Sequence, residues 1–381
     1  MIKKIFLVVP VFLISFLMIS DDNQVHSKIS HYPVMVTGMT YSLSNFDDGY
    51  YKTGIKSSEP RFIDNKDGTV TDNFTGLMWL KDIQFCGKAN AWKEAINICS
   101  KLHYAGHNDW RLPSKNELSS LQSITYRLSN TNNKFDTLPK NNPFKNIHPP
   151  LSEDEAILLW TSNYIKWHFN PSSSYIEGWR SSLYGNRSFD NFSEDRSTFV
   201  WPVRTAVLNK FPEDESEHFE IAKALVEGQG KNLLDSKDYK LKKEAYYKLR
   251  FTDNHNGTVT DNRTGLMWVK DIGLTYLPWK EALLYCNKLN YAGKKDWRLP
   301  NLKELESIID YYSEGETILP PPFVWHNPKE HSSGFIYTST PTPLANMWNI
   351  YTINFRVGAI SQANCNTYGF IWPVRGYTTQ K

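Results

Sequence analysis

Acidic and amide side chains form two short clusters in the 381-residue chain, and they are the residues best suited to bind a metal ion. The clusters are Asp64, Asp67, Asp72 and Asn73, and then Asp253, Asn256, Asp261 and Asn262. Their oxygens suit Ca²⁺, but their spacing is not that of an EF-hand loop. Asp and Asn also hydrogen-bond their own backbone in tight turns. We therefore expect turns rather than a calcium site, and predict neither a metal nor a cofactor.

Four cysteines are candidates for disulfide bonds if the protein is exported to an oxidising compartment. They are Cys86, Cys99, Cys286 and Cys365, and they allow three connectivities. Each of the two domains inferred below contains two of them, which favours pairing Cys86 with Cys99 and Cys286 with Cys365. Buried free thiols are the alternative.

Sequence motifs for common catalytic sites do not occur. The chain has no nucleophile elbow, zinc-binding His-Glu-x-x-His, phosphate loop or dinucleotide fingerprint. We therefore expect that it is not an enzyme. Because 43 Lys and Arg balance 40 Asp and Glu, the net charge of +3 is too small to hold nucleic acid, which we exclude as a partner. A polyanionic ligand would need a local basic patch.

The N-terminus has the layout of a secretory signal peptide. Two lysines precede an apolar run from Ile5 to Ile19, and polar residues follow. The run is shorter than the roughly 20 residues that a membrane span needs, although a retained anchor is the alternative. We place cleavage after Ser27, with Ser20 as a second position. The protein should then be secreted to the periplasm, cell surface or exterior, without a membrane span.

The chain contains an internal duplication. Residues 61–82 and 250–271 are identical at 17 of 22 aligned positions. The match resumes at 104–113 and 291–300, and again at 201–204 and 372–375. Because the period far exceeds that of a solenoid repeat, it predicts two tandem globular domains, each with a core of its own.

These matches divide the chain into six parts. They are a signal peptide (1–27), a lead-in (28–60), copy one (61–206), a charged linker (207–249), copy two (250–377) and a tail (378–381). Within the linker we expect a helix from Phe219 to Val226 rather than a third domain.

Each copy should begin with a β-hairpin, because Asp67-Gly68 and Asn256-Gly257 favour a tight turn between extended segments. An amphipathic helix follows, since Trp92, Ala95, Ile96 and Cys99 have helical spacing that copy two repeats. After Trp-Arg-Leu-Pro, capping residues predict a second helix in each copy. Closing strands should end at Trp-Pro-Val-Arg.

The block Asp-Gly-Thr-Val-Thr-Asp-x-x-Thr-Gly-Leu-Met-Trp, the helix after it and Asp-Trp-Arg-Leu-Pro-x-x-x-Glu-Leu resemble the Lcl C-terminal domain family, long a domain of unknown function. The resemblance covers about 37–206 and 250–377. It implies an α+β fold of two tandem C-type-lectin-like domains, related to the formylglycine-generating enzymes. Each would have an N-terminal β-hairpin, two helices and a mixed or antiparallel sheet. The family's namesake is a surface adhesin implicated in binding sulfated polysaccharides, so the resemblance implies glycan binding.

The sequence departs from the family pattern at the last strand. Relatives often have Arg-Cys-Val-Arg there, whereas Pro202 and Pro373 replace the cysteine. The helix-to-last-strand disulfide of the family therefore cannot form, and Cys99 and Cys286 must pair elsewhere or stay reduced. A formylglycine-generating oxidase would also need a cysteine pair late in a copy, where copy two has only Cys365.

The candidate ligand-binding residues lie in the variable second half of each copy. Eight of the 13 tryptophans match between the copies, which assigns them to the cores, whereas Trp167, Trp179, Trp325 and Trp348 are unmatched. The predicted site residues are Trp167, His168, Trp179, Arg180, Tyr184, Asn186 and Arg187, and Trp348, Asn349, Tyr351, Asn354 and Arg356. Aromatic rings suit sugars, and arginines can bind sulfate through two hydrogen bonds. Ordinary solvated loops are the alternative for any one residue.

The sequence therefore predicts a non-catalytic protein that binds a polysaccharide or cell-surface glycan, with sulfated polysaccharide as one class, in adhesion or envelope interaction. One alternative is a structural envelope or assembly module without a glycan ligand. The other is an oxidoreductase like the formylglycine-generating enzymes.

Overall fold

The computed structural model describes the chain from Val34 to Gly376 with several gaps, and every structural statement below refers to the described residues. The described ranges are 34–39, 41–57, 59–122, 138, 142–147, 157–170, 173–182, 198–207, 215–227, 234, 236–310, 319–326, 334–342, 349–354 and 358–376.

The two copies share the order of four strands, two helices and closing strands, and copy two has three further strands. Copy one consists of β1 (Phe62–Asp64), β2 (Thr69–Asp72), β3 (Leu77–Leu80), β4 (Lys88–Ala89), α2 (Trp92–Ser100), α3 (Lys115–Leu121), β5 (Leu158–Asn170), β6 (Ser173–Ser182), β7 (Thr198–Phe199) and β8 (Val203–Thr205). Copy two consists of β9 (Phe251–Asp253), β10 (Thr258–Asp261), β11 (Met267–Val269), β12 (Asp271–Ile272), β13 (Tyr276–Pro278), α6 (Trp279–Lys288), α7 (Leu302–Ser307), β14 (Val324–Trp325), β15 (Phe335–Pro341), β16 (Asn349–Asn354), β17 (Ala359–Asn364), β18 (Tyr368–Phe370) and β19 (Val374–Arg375). The three further strands are β12, β14 and β17.

Three further helices lie outside the copies. The lead-in contains α1 (Asp48–Tyr51), and the linker contains α4 (Glu215–Val226) and α5 (Lys237–Arg250). The predicted helix at 219–226 is confirmed within α4, whereas α5 was not predicted. None of the described helices is both long enough and apolar enough to cross a membrane.

Each copy begins with a small antiparallel sheet in which the predicted hairpin is confirmed. The strand order is β1-β2-β3-β8 in copy one and β9-β10-β11-β19 in copy two. The hairpin turn forms because the Asp67 carboxylate accepts hydrogen bonds from the amide and hydroxyl of Thr69, at 2.9 and 2.6 Å. Asn256 binds Thr258 in the same way. The polar clusters therefore serve the turns, as expected.

A second, larger sheet completes each copy. Its order is β4-β7-β5-β6 in copy one and β13-β18-β15-β16-β17 in copy two, and β12 pairs in parallel with β14. Most pairings are antiparallel, but β5 with β7 and β15 with β18 are parallel. The fold is therefore mixed α+β with several small sheets, as the sequence predicts.

The amphipathic helices α2 and α6 bury the predicted stripes. Trp92, Ala95, Ile96 and Cys99 are buried on α2, and their counterparts are buried on α6. The eight tryptophans shared by the copies are all buried: Trp79, Trp92, Trp110, Trp201, Trp268, Trp279, Trp297 and Trp372. Their assignment to the cores is therefore confirmed.

The motif Trp-Arg-Leu-Pro is also structural. Ser114 and Glu117 form the predicted capping box at α3, and Asn301 and Glu304 form it at α7. In copy two the Arg298 guanidinium donates two hydrogen bonds of 2.6 Å to Glu304, and both side chains are buried. Arg111 binds Glu117 likewise, at 2.8 and 2.6 Å. These arginines therefore form ion pairs that fix the second helix of each copy.

The lead-in contacts copy two, although it is joined to copy one. Val34 and Met39 belong to the apolar cluster around Trp268, while Leu43 and Phe46 pack against the cluster around Trp279. Polar contacts agree with this placement. Tyr41 donates to the carbonyl of Thr342 at 3.0 Å, Asn287 donates to Tyr51 at 2.8 Å, and Thr340 donates to Asp48 at 2.8 Å.

The linker packs its first helix, α4, back on copy one, while the end of α5 packs on copy two. Phe219, Ile221 and Ala222 on α4 and Leu234 beyond it are buried in one cluster with Trp92 and Cys99 of copy one. Copy one is thus completed by α4, and copy two by the lead-in and the end of α5. None of the described apolar clusters joins residues of both copies, so each copy has clusters of its own, to which flanking segments contribute. Repeat boundaries follow sequence identity and do not show where flanking residues pack.

The copies meet at their second helices. Ser119 donates a hydrogen bond of 2.7 Å to Glu306. Both residues are the fifth after their helix N-caps, Ser114 and Asn301, so equivalent positions face each other. A contact between equivalent positions is what a two-fold axis produces in a symmetric dimer. The junction is only partly symmetric, because Lys115 also donates to the Gly358 carbonyl at 3.0 Å and its equivalent, Leu302, has no side-chain donor.

Candidate functional site

Most of the predicted ligand-binding residues fall outside the described part of the structure. Tyr184, Asn186, Arg187, Trp348 and Arg356 are not among the described residues. For three more, only the backbone is described, in the β5–β6 hairpin, where Trp167 pairs with Tyr175 and His168 with Ser174. The third is Trp179, in β6. Their role in binding stays a prediction.

Two of the predicted residues are buried. Arg180 is 3% exposed, with its guanidinium 5.5 Å from the centre of the Trp160 ring. Tyr351 is also 3% exposed and belongs to the main core cluster of copy two. Their role in ligand binding stays a prediction, but both side chains are buried and not exposed in solvated loops. Sequence reasoning missed this because their strands are buried at these positions, which the polar composition of the region does not reveal.

Two other predicted residues lie on the same strand but far apart along it. Asn349 and Asn354 are half-buried at the two ends of β16, paired with Asn364 and Ala359 of β17. Five residues of extended strand separate them by roughly 17 Å. These two asparagines therefore cannot bind the same small group.

An aromatic cluster elsewhere in copy two contains the fourth unmatched tryptophan, Trp325. Its ring lies 5.1 Å from that of Phe370, which lies 4.9 Å from Tyr276, and Tyr276 stacks on Tyr368 at 5.6 Å and 29°. We call these four residues the aromatic ladder. Phe370 is fully buried, Trp325 and Tyr276 are half-buried and Tyr368 is 57% exposed. The ladder therefore runs from the core to the surface.

Strand pairing positions the ladder. Tyr276 in β13 is paired with Phe370 in β18, and Tyr368 lies two residues before Phe370. Residues two apart on a strand share a face, so the three rings project from one face of the sheet. Since β13 is an edge strand, the ladder ends at the border of the sheet. Its outer rings are thus held by backbone pairing and remain accessible.

A polar pair lies on the two strands that hold Trp325, at the inner end of the ladder. The His326 ring nitrogen Nε2 and the Asp271 carboxylate are 2.9 Å apart, and both side chains are partly exposed. They are fixed by the pairing of β12 with β14, which also holds Trp325. A Cβ on Gly273 would lie 2.3 Å from the His326 carbonyl, so glycine permits this close approach. Side chains alternate along a strand, so this polar pair lies on the face opposite to Trp325, together with Val324.

Copy one lacks the ladder at the equivalent positions. Strand register aligns Tyr276 with Lys88, whose ammonium lies 4.6 Å from the Phe199 ring, and aligns Trp325 with Asn146. Counting back from Trp-Pro-Val-Arg aligns Tyr368 with Ser197. The ladder therefore belongs to copy two alone. Comparing tyrosines as well as tryptophans between the copies would have found it.

The cysteines do not form the expected disulfides, and all four are free thiols. Cys99, Cys286 and Cys365 are buried, and Cys86 is half-buried. Burial raises the pKa of Cys86 to about 11 and holds the pKa values of Cys99 and Cys286 well above the usual range. Protonated thiols are poor nucleophiles, so these side chains act as small apolar groups of the cores.

The carboxylates considered for calcium are occupied by protein partners. Asp64 accepts hydrogen bonds from the ammonium groups of Lys66 and Lys81, which hold its pKa well below the usual range. Asp72 forms a buried ion pair with Arg61 at 2.8 Å. Within the described part of the chain, no three His, Cys, Asp or Glu side chains are grouped so as to hold a metal ion.

The sequence matches the Lcl C-terminal domain family over residues 68–204 and 257–375. These segments make up more than half of the chain and coincide with the two copies. The chain therefore belongs to the Lcl C-terminal domain family and contains two tandem domains of it. No curated protein matches the sequence.

Proposed function

We propose that this chain is a secreted, non-catalytic protein that binds a polysaccharide in adhesion or envelope interaction. The observation that carries the proposal is the aromatic ladder of copy two, with Tyr368 and Tyr276 stacked at an accessible sheet edge. The likeness of each copy to C-type-lectin-like domains is part of the same proposal. Its support is the order of hairpin, two helices and closing strands.

The chemistry of the ladder suits a sugar. One face of a pyranose ring presents C–H groups, and its rim presents hydroxyl groups. A tyrosine offers an apolar ring face together with a hydroxyl that donates or accepts a hydrogen bond. Stacking on Tyr368 and hydrogen bonds at the rim would thus fix a sugar unit without any charge on the ligand.

Sulfated polysaccharide is a distinguishable subclass of the same proposal. Its binding would rest on arginines such as Arg187 and Arg356, which lie outside the described residues. Ionic contacts weaken as salt screens them over about 8 Å at physiological strength, whereas stacking does not. Affinity measured against salt concentration therefore separates the contribution of sulfate groups from that of the ladder.

The experiment is a glycan array with the full mature chain, followed by titration of the best ligand and of heparin. We expect Tyr368→Ala and Trp325→Ala to weaken binding about tenfold, as the loss of one aromatic contact implies. Phe85→Ala is the matched control, because Phe85 is a 49% exposed aromatic residue of copy one, with its ring centre 4.6 Å from that of Tyr104. It should leave the affinity unchanged.

Two results would overturn the proposal. If no glycan binds, the structural envelope module replaces it. If a glycan binds equally well to wild type and Tyr368→Ala, binding occurs elsewhere and the ladder is not its site.

A further inference from the structure

The lead-in is a compact unit held by copy two. Its ends meet, because Val36 donates a backbone hydrogen bond of 3.0 Å to Ile55, and Ile55 donates one of 2.8 Å to Val34. Between them, Leu43 and Phe46 insert toward the cluster around Trp279. The lead-in therefore docks as one closed loop rather than as an extended strand.

A polar contact pins this loop to copy two at its centre. The Asp48 carboxylate is fully buried and accepts hydrogen bonds from Thr37 of the lead-in, at 2.6 Å, and Thr340 of β15, at 2.8 Å. Asn301, the N-cap of α7, donates to the hydroxyl and carbonyl of Thr53, at 3.1 and 3.3 Å. Together with the apolar contacts, these bonds define a lead-in groove on copy two, formed by Thr340, Asn301 and the Trp279 cluster.

The connection from the lead-in to copy one is short and accessible. Ile55, Lys56, Glu59 and Pro60 are exposed, and Arg61 begins the buried first sheet. Most of the contacts described above join the lead-in to copy two. Two contacts join it to copy one, since Arg61 lies 3.6 Å from the Met35 sulfur and Asn73 donates to the Pro60 carbonyl at 3.0 Å. Because these contacts are few, the occupant of the groove need not belong to the same molecule. The linker makes no comparable exchange, since α4 packs on copy one, which it follows, and the end of α5 packs on copy two, which it precedes.

We propose that the lead-in groove is also an interaction surface for a second copy of this chain, so that two molecules exchange their lead-ins and form a closed dimer. Each groove then makes the same contacts as in the monomer. The ratio of exchanged dimer to monomer depends on the protein concentration, because a second molecule's lead-in competes with the molecule's own lead-in, whose effective concentration is high. Exchange is slow, because a lead-in must leave its groove before another enters.

The proposal is tested with two complementary full-length variants that carry different tags. Thr340→Asp places a carboxylate opposite Asp48 and so blocks the groove, while Asp48→Lys disables the lead-in. In neither variant can the lead-in dock in the groove of its own chain. In a mixture, the unaltered lead-in of the Thr340→Asp chain fits the unaltered groove of the Asp48→Lys chain. The two substituted side chains then meet in the other groove as a pair of opposite charges.

The measurement is light scattering after size exclusion, with reductant present so that no disulfide links the chains. We expect the mixture to give a species of twice the monomer mass that carries both tags, with a higher unfolding temperature than either variant alone. The matched control is one chain with both substitutions, which should close within itself and stay monomeric.

A second measurement uses the wild-type chain in case a variant does not fold. Two tagged wild-type samples are unfolded together in urea and refolded at low and high concentration. We expect a doubly tagged dimer whose fraction rises with concentration. A doubly tagged dimer in either experiment supports the exchange, and its absence from both overturns it.

Discussion

The ammonium group of Lys303 in copy two donates to the carbonyl oxygen and to the hydroxyl of Ser119 in copy one, each at 2.6 Å. The same group lies 3.3 Å from the Glu306 carboxylate, and both charged side chains are less than 10% exposed. The junction between the copies thus contains a buried ion pair that a serine of the other copy completes. A buried charge without its partner is costly, so this pair should control how firmly the copies are joined.

Glu306→Ala should destabilise the protein by about 3–5 kcal/mol, because it leaves the Lys303 charge buried and uncompensated. Urea unfolding of the full chain measures the change. Asp238→Ala is the control, since it removes the partner of Lys242 in an exposed pair and should cost at most about 1 kcal/mol. Similar losses in both variants would show that the junction contributes little.

Docking of the lead-in should weaken as pH rises. Burial raises the pKa of Asp48 to about 7, with Glu304 and Asp47 nearby adding to the effect and the hydrogen bonds from Thr37 and Thr340 opposing it. A raised pKa stabilises the folded state at acid pH, and that contribution is lost as pH rises from about 4 through 7.

Limited proteolysis of the lead-in at pH 5.5 and 8.5 measures this effect. Cleavage should be faster at the higher pH in the wild type. Asp48→Asn, which carries no charge, should remove most of the pH dependence between these values. A wild-type rate that is the same at both pH values would contradict the assignment of Asp48.

Gly257→Ala should cost clearly more stability than Gly293→Ala. Both glycines have positive φ, +83° and +72°, so alanine is strained by about 1–2 kcal/mol at either position. At Gly257 the new Cβ would also lie 1.9 Å from the Tyr291 hydroxyl, whereas no atom lies within 4 Å of the site at Gly293. Thermal unfolding of the two variants measures the difference, and equal transition temperatures would show that Tyr291 moves aside freely.

Replacing an aromatic residue of the core should lower the free energy of unfolding, whereas replacing an exposed residue of the aromatic ladder should lower the affinity for glycan. Trp297 is 1% exposed, so Trp297→Ala should cost about 3–5 kcal/mol. Tyr368 is 57% exposed, so Tyr368→Ala should cost under about 1 kcal/mol while it weakens glycan binding. A large loss of stability on replacing Tyr368 would assign the ladder to folding instead.

Copy two with its preceding helix α5, expressed as residues 236–377, should unfold without a cooperative transition, because its groove lacks the lead-in. Adding a synthetic peptide of residues 34–57 should restore cooperativity, and a peptide with Asp48→Lys should not. Circular dichroism during heating follows the transition. A cooperative transition of the fragment without peptide would show that the lead-in is dispensable for folding.

Local features of the fold could be predicted from the sequence because their causes are local. The turns at Asp67 and Asn256 and the capping boxes at Ser114 and Asn301 depend on residues at most three positions apart. The stripe on α2 depends on helical spacing alone. Duplication then showed which tryptophans belong to the cores, because both copies must bury them.

The placement of the lead-in and the aromatic ladder could not be predicted in this way. Asp48 meets Thr340 across 292 positions of the chain, and no periodicity connects them. The ladder joins Trp325 in β14 to Phe370 in β18, which depends on strand order. Arg180 shows the converse, since a polar side chain suggests exposure although its strand is buried there.

The crossing of the lead-in to copy two has a consequence for biosynthesis. A ribosome adds about 5–20 residues per second, so the 292 positions between Asp48 and Thr340 take roughly 15–60 s. Copy one acquires α4 soon after its own last strand emerges, whereas the lead-in waits for nearly the entire remaining translation with Leu43 and Phe46 unpaired. A chain that terminates before copy two therefore leaves Leu43 and Phe46 without the Trp279 cluster against which they pack.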